Sequence, residues 1–154
     1  MAENGLTASE LIQQIYSNHL NQIFRSYNFV GRRGEYVFPH PDYYIIVAFQ
    51  KSKYFNSLKA EIIMNLTVIS HREWENIKNV RPSFSDTPQP KVLYSDVVEG
   101  YTGRVGSLGQ GSHSWHTINV DTFDAIKIVS QISYELKKYA LPIIEDRTGL
   151  SFSI

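Results

Sequence analysis

The sequence predicts an α+β fold: a single-domain antiparallel β-sheet packed on one face by long N-terminal and C-terminal helices. Three observations carry that expectation. Apolar stripes of helical period occupy both ends of the chain, and apolar runs of strand length fill its middle. The two strongest runs are joined by only eight residues, "KSKYFNSL". A parallel pair needs a crossover of about a dozen residues or more, so this link implies an antiparallel hairpin. Strands grouped between helices, rather than alternating with them, define the α+β class.

The first helix is written in "LTASELIQQIYSNHLNQIFRSYNF". Leu11, Ile12, Ile15, Tyr16, His19, Leu20, Ile23, Phe24 and Tyr27 recur at three- and four-residue spacing and make one broad stripe. Thr7 and Glu10 stand in capping-box register, which starts the helix at Thr7 or Ala8. It is expected to end before Gly31. "FVGRRGEYVFP" reads as a first strand stopped by a tight turn at Pro39 and Pro41. "DYYIIVAFQ" follows, rich in β-branched and aromatic residues.

In "KAEIIMNLTVI", Ile62, Met64, Leu66 and Val68 form a wholly apolar face that should meet the core. Glu61, Ile63, Asn65, Thr67 and Ile69 form the other, and surface solvation is the expectation for Glu61 and Asn65. "HREWENIK" reads as a short helical turn, and residues 79–93, with three prolines, as a long exposed loop. "VVEGYTGRVGSL" reads as a strand broken by Gly100 and Gly103, with "SWHTI" as its short partner. The last helix spans "VDTFDAIKIVSQISYELKKYALPIIEDR", with Phe123, Ile126, Val129, Ile132 or Ser133, Leu136, Tyr139 and Ala140 on one face. Asp121 is the expected N-cap, and Pro142 is expected to kink or end the helix. Residues 1–154 are read as one domain.

Several of these marks occur in a characteristic order: the N-terminal helix running into "YNF", then "VAFQKSKYFN", "AEIIMNLTVI", "GRVGSL", "SWHTIN" and "LKKYALPII". Together they resemble the bacterial family catalogued as domain of unknown function 4304 (DUF4304), from about Leu6 to Glu145. Gln50, Lys51, Ser52, Arg104, Trp115 and Tyr139–Pro142 match its most recognisable positions. The chain departs from the family where His116 follows Trp115, and in the proline-rich stretch from Arg81 to Pro90. The resemblance implies the fold and supplies no mechanism.

Composition narrows the function classes. An apolar fraction of 42% with 19% charged residues marks a globular chain. Lys plus Arg and Asp plus Glu are 15 each, and no basic stripe appears, so nucleic-acid binding is not expected. The absence of cysteine excludes disulfides and thiolate metal sites. The start lacks signal-peptide character and the longest apolar runs are too short to span a bilayer, so a cytoplasmic chain with no membrane association is expected.

The glycines of "GRVGSLGQGSHSWHTIN" suggest a phosphate loop, but such a loop opens a helix, and here a strand follows. A glycine-bearing hairpin turn explains them better. His113 and His116, three apart, would face opposite sides of a strand, so neither a metal nor any other cofactor is expected. No nucleophile elbow, zinc-protease motif or paired-carboxylate motif is present, and no catalytic residue is assigned.

The preferred binding residues are Gln50, Lys51, Ser52 and Lys53, which a hairpin would gather at one sheet end, together with Arg104. Arg32, Arg33, His113 and Trp115 are secondary. Such a set suits a carboxylate or phosphate. The high Tyr content and zero net charge favour a non-enzymatic binding or interaction module with a protein partner, of which the partner-neutralising kind that bacteria pair with toxins is one form. The alternative is an enzyme or small-ligand binder acting on an anionic substrate through that sheet-end cluster. The sequence is compatible with a monomer and with a homodimer.

Overall fold

The protein is described by a computed structural model over residues 5–105 and 115–152. At the N-terminus Thr7 Oγ1 accepts from Glu10 N at 3.2 Å and Glu10 Oε1 accepts from Thr7 N at 3.0 Å. This is the expected capping box. It opens a rod made of α1 (Ala8–Ile15), a π-helical turn (Tyr16–Leu20) and α2 (Asn21–Ser26). The C-terminal rod has the same construction: α4 (Ala125–Glu135), a π turn (Leu136–Ala140) and α5 (Leu141–Thr148).

The π turns have a sequence cause. Ala8, Ile12, Tyr16, Leu20 and Phe24 are all buried, and so are Ile128, Ile132, Leu136, Ala140 and Ile144. Each set repeats every four residues, and each four-residue step overshoots a 3.6-residue turn by about 40°. A single wider turn takes up that drift and returns both ends of the rod to the core. The C-terminal π turn also prepares for Pro142, which sits in the first turn of α5, where its missing N–H leaves no interior bond unmade. The rod therefore does not end there and runs on to Thr148.

Among the described residues six strands make one antiparallel sheet: β1 (Val30–Arg32), β2 (Glu35–Phe38), β3 (Tyr43–Lys51), β4 (Lys59–Ser70), β5 (Tyr101–Arg104) and β6 (His116–Asn119). The order runs β1-β2-β3-β4, and β5 and β6 both pair with β4. The expected first strand is thus two, folded at Arg33-Gly34, whose φ values are 57° and 80°. A two-residue turn with both central residues left-handed matches the twist of a tight hairpin.

The expected pairing of "SWHTI" with the preceding strand is overturned. Arg104 lies opposite Asn65, and His116 opposite Ile62, so β5 and β6 follow one another in the same direction along one edge of β4. Each pairs with β4 and, among the described residues, not with the other. The glycines at 106, 109 and 111 lie outside the described residues.

The two rods cover one face of the sheet, and Ile45, Val47, Phe49, Ile62, Met64, Leu66 and Val68 point into the core between them. The opposite face is also covered. There α3 (His71–Val80) and the segment 81–100 close a smaller cluster of Ile69, Trp74, Ile77 and Tyr94. The proline-rich segment is therefore not wholly exposed: Pro88 and Tyr94 are buried, and Trp74 Nε1 donates to Asp86 O at 2.9 Å. Glu73 ties its far end, accepting from the backbone N–H groups of Val98, Glu99 and Gly100 at 2.8, 2.9 and 2.9 Å.

Two further expectations change. The N-cap of α4 is Asp124, which accepts from Lys127 N at 3.1 Å, because the chain is still turning at Asp121. With the helix starting there, Ile126 points to solvent, 66% exposed, and Ile128 takes the inward position. Among the described residues, no helix is long and apolar enough to cross a membrane.

Candidate functional site

The expected binding residues divide between two faces, because neighbours along a strand point oppositely. Lys51 turns toward the rods. Its Nζ donates to Ser9 Oγ at 3.0 Å and lies 3.8 Å from the Phe55 ring centroid. Gln50 turns to the other face, where its Oε1 accepts from Asn65 Nδ2 at 3.0 Å. Ser52 is a turn residue; its Oγ accepts from Tyr54 N and its own N–H donates to Glu61 O. Lys53 is at the exposed tip, 5.1 Å from the Tyr54 ring.

Arg104 is separated from Lys51 by the sheet itself. It faces the same side as Gln50 and Asn65, with its guanidinium 5.2 Å from the half-buried Trp115 ring. Arg32 is exposed on the edge strand opposite Glu35. His113 lies outside the described residues.

Arg33 and Lys51 do meet. With Ser9, Ile12, Gln13, Tyr16, Phe49 and Lys91 they line a recess of about 200 Å³ at the end of β2 and β3. Its three cations come from the β1–β2 turn, the end of β3 and the tip of the segment 81–100. Lys91 Nζ is 3.7 Å from Glu35 Oε1, and among the described residues Arg33 has no ion pair. Burial pushes the Tyr16 phenol well above the usual tyrosine range, and the neighbouring Tyr36 and Glu35 add to the shift. Tyr16 is therefore a protonated hydrogen-bond donor at neutral pH. Lys91, Ser9 and Gln13 had no local sequence signal, since each becomes basic or polar lining only through a long-range fold contact.

A buried pair also lies outside the expected set. His116 Nε2 and Glu135 Oε1 are 2.7 Å apart, linking β6 to α4. His116 lines a second recess of about 230 Å³ with Trp115, Thr122, Asp124 and Lys127. The pair ties the sheet edge to the C-terminal rod, a polar bond within an apolar layer. Among the described residues no group of three or more His, Asp or Glu could hold a metal ion.

These features define a small α+β domain with a basic recess at its sheet end and a polar row on the face away from its rods. The chain belongs to the DUF4304 family, a domain of unknown function whose model matches residues 20–146. No curated protein and no solved structure matches it.

Proposed function

We propose that the protein is a binding module that captures an anionic group in the sheet-end recess. One observation carries the proposal: Arg33, Lys51 and Lys91, from three distant segments, line one small concavity with the polar side chains of Ser9, Gln13 and Tyr16. An arginine fork and two ammonium groups suit phosphate, sulfate or carboxylate. At about 200 Å³ the recess is below the range of a pocket for a whole drug-sized ligand, so it fits a charged head group with the rest of the ligand outside. None of its described lining residues is a carboxylate or imidazole, and Tyr16 stays protonated. That lining suits holding charge better than moving protons, which favours binding over catalysis.

Titration calorimetry at low salt with phosphate, sulfate and citrate tests this. Binding should weaken as salt is raised, and the double variant Arg33→Met, Lys51→Met should lose at least tenfold in affinity. Equal binding by that variant, or no binding of any of the three anions, removes the proposal.

A protein partner is the second reading, and the β3–β4 hairpin tip favours it. Tyr54, Phe55 and Leu58 are 78%, 51% and 50% exposed there, beside Lys51 and Lys53. Exposed aromatics flanked by cations suit an interface anchor. A partner-neutralising role would predict a stoichiometric complex that the double variant Tyr54→Ser, Phe55→Ser fails to form.

A further inference from the structure

The sheet face turned away from the two rods carries a polar row that the fold leaves incomplete. Register places Asn65 of β4 between Ala48 of β3 and Arg104 of β5, and Thr67 between Ile46 and Thr102. Asn65 and Thr67 are each 1% exposed. Asn65 Nδ2 is used by Gln50. Yet among the described residues Asn65 Oδ1, Thr67 Oγ1 and Arg104 Nε, all buried, have no hydrogen-bond partner. Buried polar atoms are bonded in the great majority of cases, so orphans gathered within two register steps on one face require a cause.

Their chemistry is specific. The amide oxygen only accepts, the guanidinium N–H only donates, and the hydroxyl does either. Among the described residues no carboxylate pairs with Arg104, whose guanidinium rests instead against Trp115. Gln50, Arg104 and Trp115 are each partly exposed, so the row runs from the surface into the interior.

We propose that this row is a ligand site, independent of the sheet-end recess, for a small carboxylate that carries a hydrogen-bond donor on the adjoining carbon: a hydroxy- or acylamino-carboxylate. The carboxylate takes the Arg104 guanidinium. The O–H or N–H beside it donates to Asn65 Oδ1, and the Thr67 hydroxyl donates to a carboxylate oxygen. A plain carboxylate answers Arg104 and Thr67 but leaves the Asn65 acceptor bare, and a site built around a polar contact discriminates against a ligand that lacks it.

The test uses the full chain and three probes: acetate, lactate and N-acetylglycine. Affinities come from calorimetry, and the Arg104 Nε–Hε signal is followed by ¹⁵N NMR. Lactate or N-acetylglycine should bind at least tenfold more tightly than acetate and shift the Arg104 signal, and comparing the two separates hydroxy from acylamino donors. Asn65→Leu should reduce the tighter probe to the level of acetate, and Arg104→Met should abolish binding. Thr67→Val, nearly isosteric, should weaken all three probes and serves if Asn65→Leu fails to fold. The proposal is overturned if no probe binds more tightly than acetate, if Asn65→Leu and Thr67→Val bind as the parent does, or if the ligand-free protein shows a direct Arg104 Nε to Asn65 Oδ1 hydrogen bond.

Discussion

Tyr36 shows how one buried hydroxyl sets a limit on stability. Its ring stacks on Phe24 with centroids 4.2 Å apart, and its hydroxyl donates to Asn21 Oδ1 at 2.7 Å. Burial pushes its phenol up to about 12, against a partial lowering by the Gly34 backbone. In the unfolded chain the same group titrates near 10. Below that value both states hold the proton and the contribution is intact. As pH rises from about 10 toward 12 the unfolded state releases it first, so stability falls, by up to about 1.4 kcal/mol per pH unit for one proton. Urea unfolding followed across pH 8 to 12 should show this decline, and Tyr36→Phe should make it shallower while costing about 1 kcal/mol at neutral pH through the unpaired Asn21 oxygen. Identical slopes for parent and variant would remove Tyr36 from the account. Asn65 makes the complementary point about legibility. In the sequence it is one polar residue on an alternating strand, and solvation is the economical expectation. Only the cover provided on the second face turns it into a buried amide with an orphan oxygen.

At the scale of elements, the β1–β2 turn sets local stability against the recess. Arg33 occupies a left-handed conformation at φ 57°, which disfavours a long side chain. Asparagine followed by glycine is the preferred pair for such a turn, and Gly34 is already present. Arg33→Asn should therefore stabilise the fold by about 1 kcal/mol, or about 3 °C in Tm for a chain of this size, while weakening anion binding. Paired thermal unfolding and calorimetry check it; a variant that is more stable and binds equally well would show that Arg33 has no part in the recess. The same turn explains why one strand was expected where two occur: "RRG" carries no asparagine or aspartate to announce a hairpin. Both rods and β4 were legible, because apolar periodicity over many residues is a strong signal. The π turns were written in the four-residue repeats Ala8 to Phe24 and Ile128 to Ile144, which a general helical pattern does not separate from a 3.6-residue stripe. β5 and β6, of four residues each, were legible as strands but not in their pairing, since their register is decided by distant β4. Of the recess, Arg33 and Lys51 were visible as cations near turns. Lys91 arrives only because the segment 81–100 crosses the second face.

For the molecule as a whole, one sheet separates two layers of unequal strength. The layer under the rods is broad and apolar, whereas the opposite cluster consists of Ile69, Trp74, Ile77 and Tyr94 with a few half-buried neighbours. The thin layer is held largely by polar ties, above all the Glu73 carboxylate on three backbone N–H groups. Gly100 permits that closeness: a Cβ there would lie 2.1 Å from Val68 O and 3.1 Å from Glu73 Oε1. A layer with little apolar burial should open below the free energy of global unfolding. Native-state hydrogen exchange should then show the amides of Val98, Glu99 and Gly100 exchanging through a sub-global opening, while the central amides of β3 and β4 exchange only on full unfolding. Glu73→Ala removes three charge-assisted bonds and should lower that opening by about 2–3 kcal/mol, with a smaller effect on β4. If every amide shifts by the same amount, the two layers form one cooperative unit. Lys91 lines the sheet-end recess from this same segment, so an opening of the layer would withdraw a cation from the recess and uncover the face that holds Asn65 and Thr67. Glu73→Ala should then weaken anion binding at the recess as it raises exchange at Val98, Glu99 and Gly100, and unchanged anion binding would show that Lys91 stays in place when the layer opens.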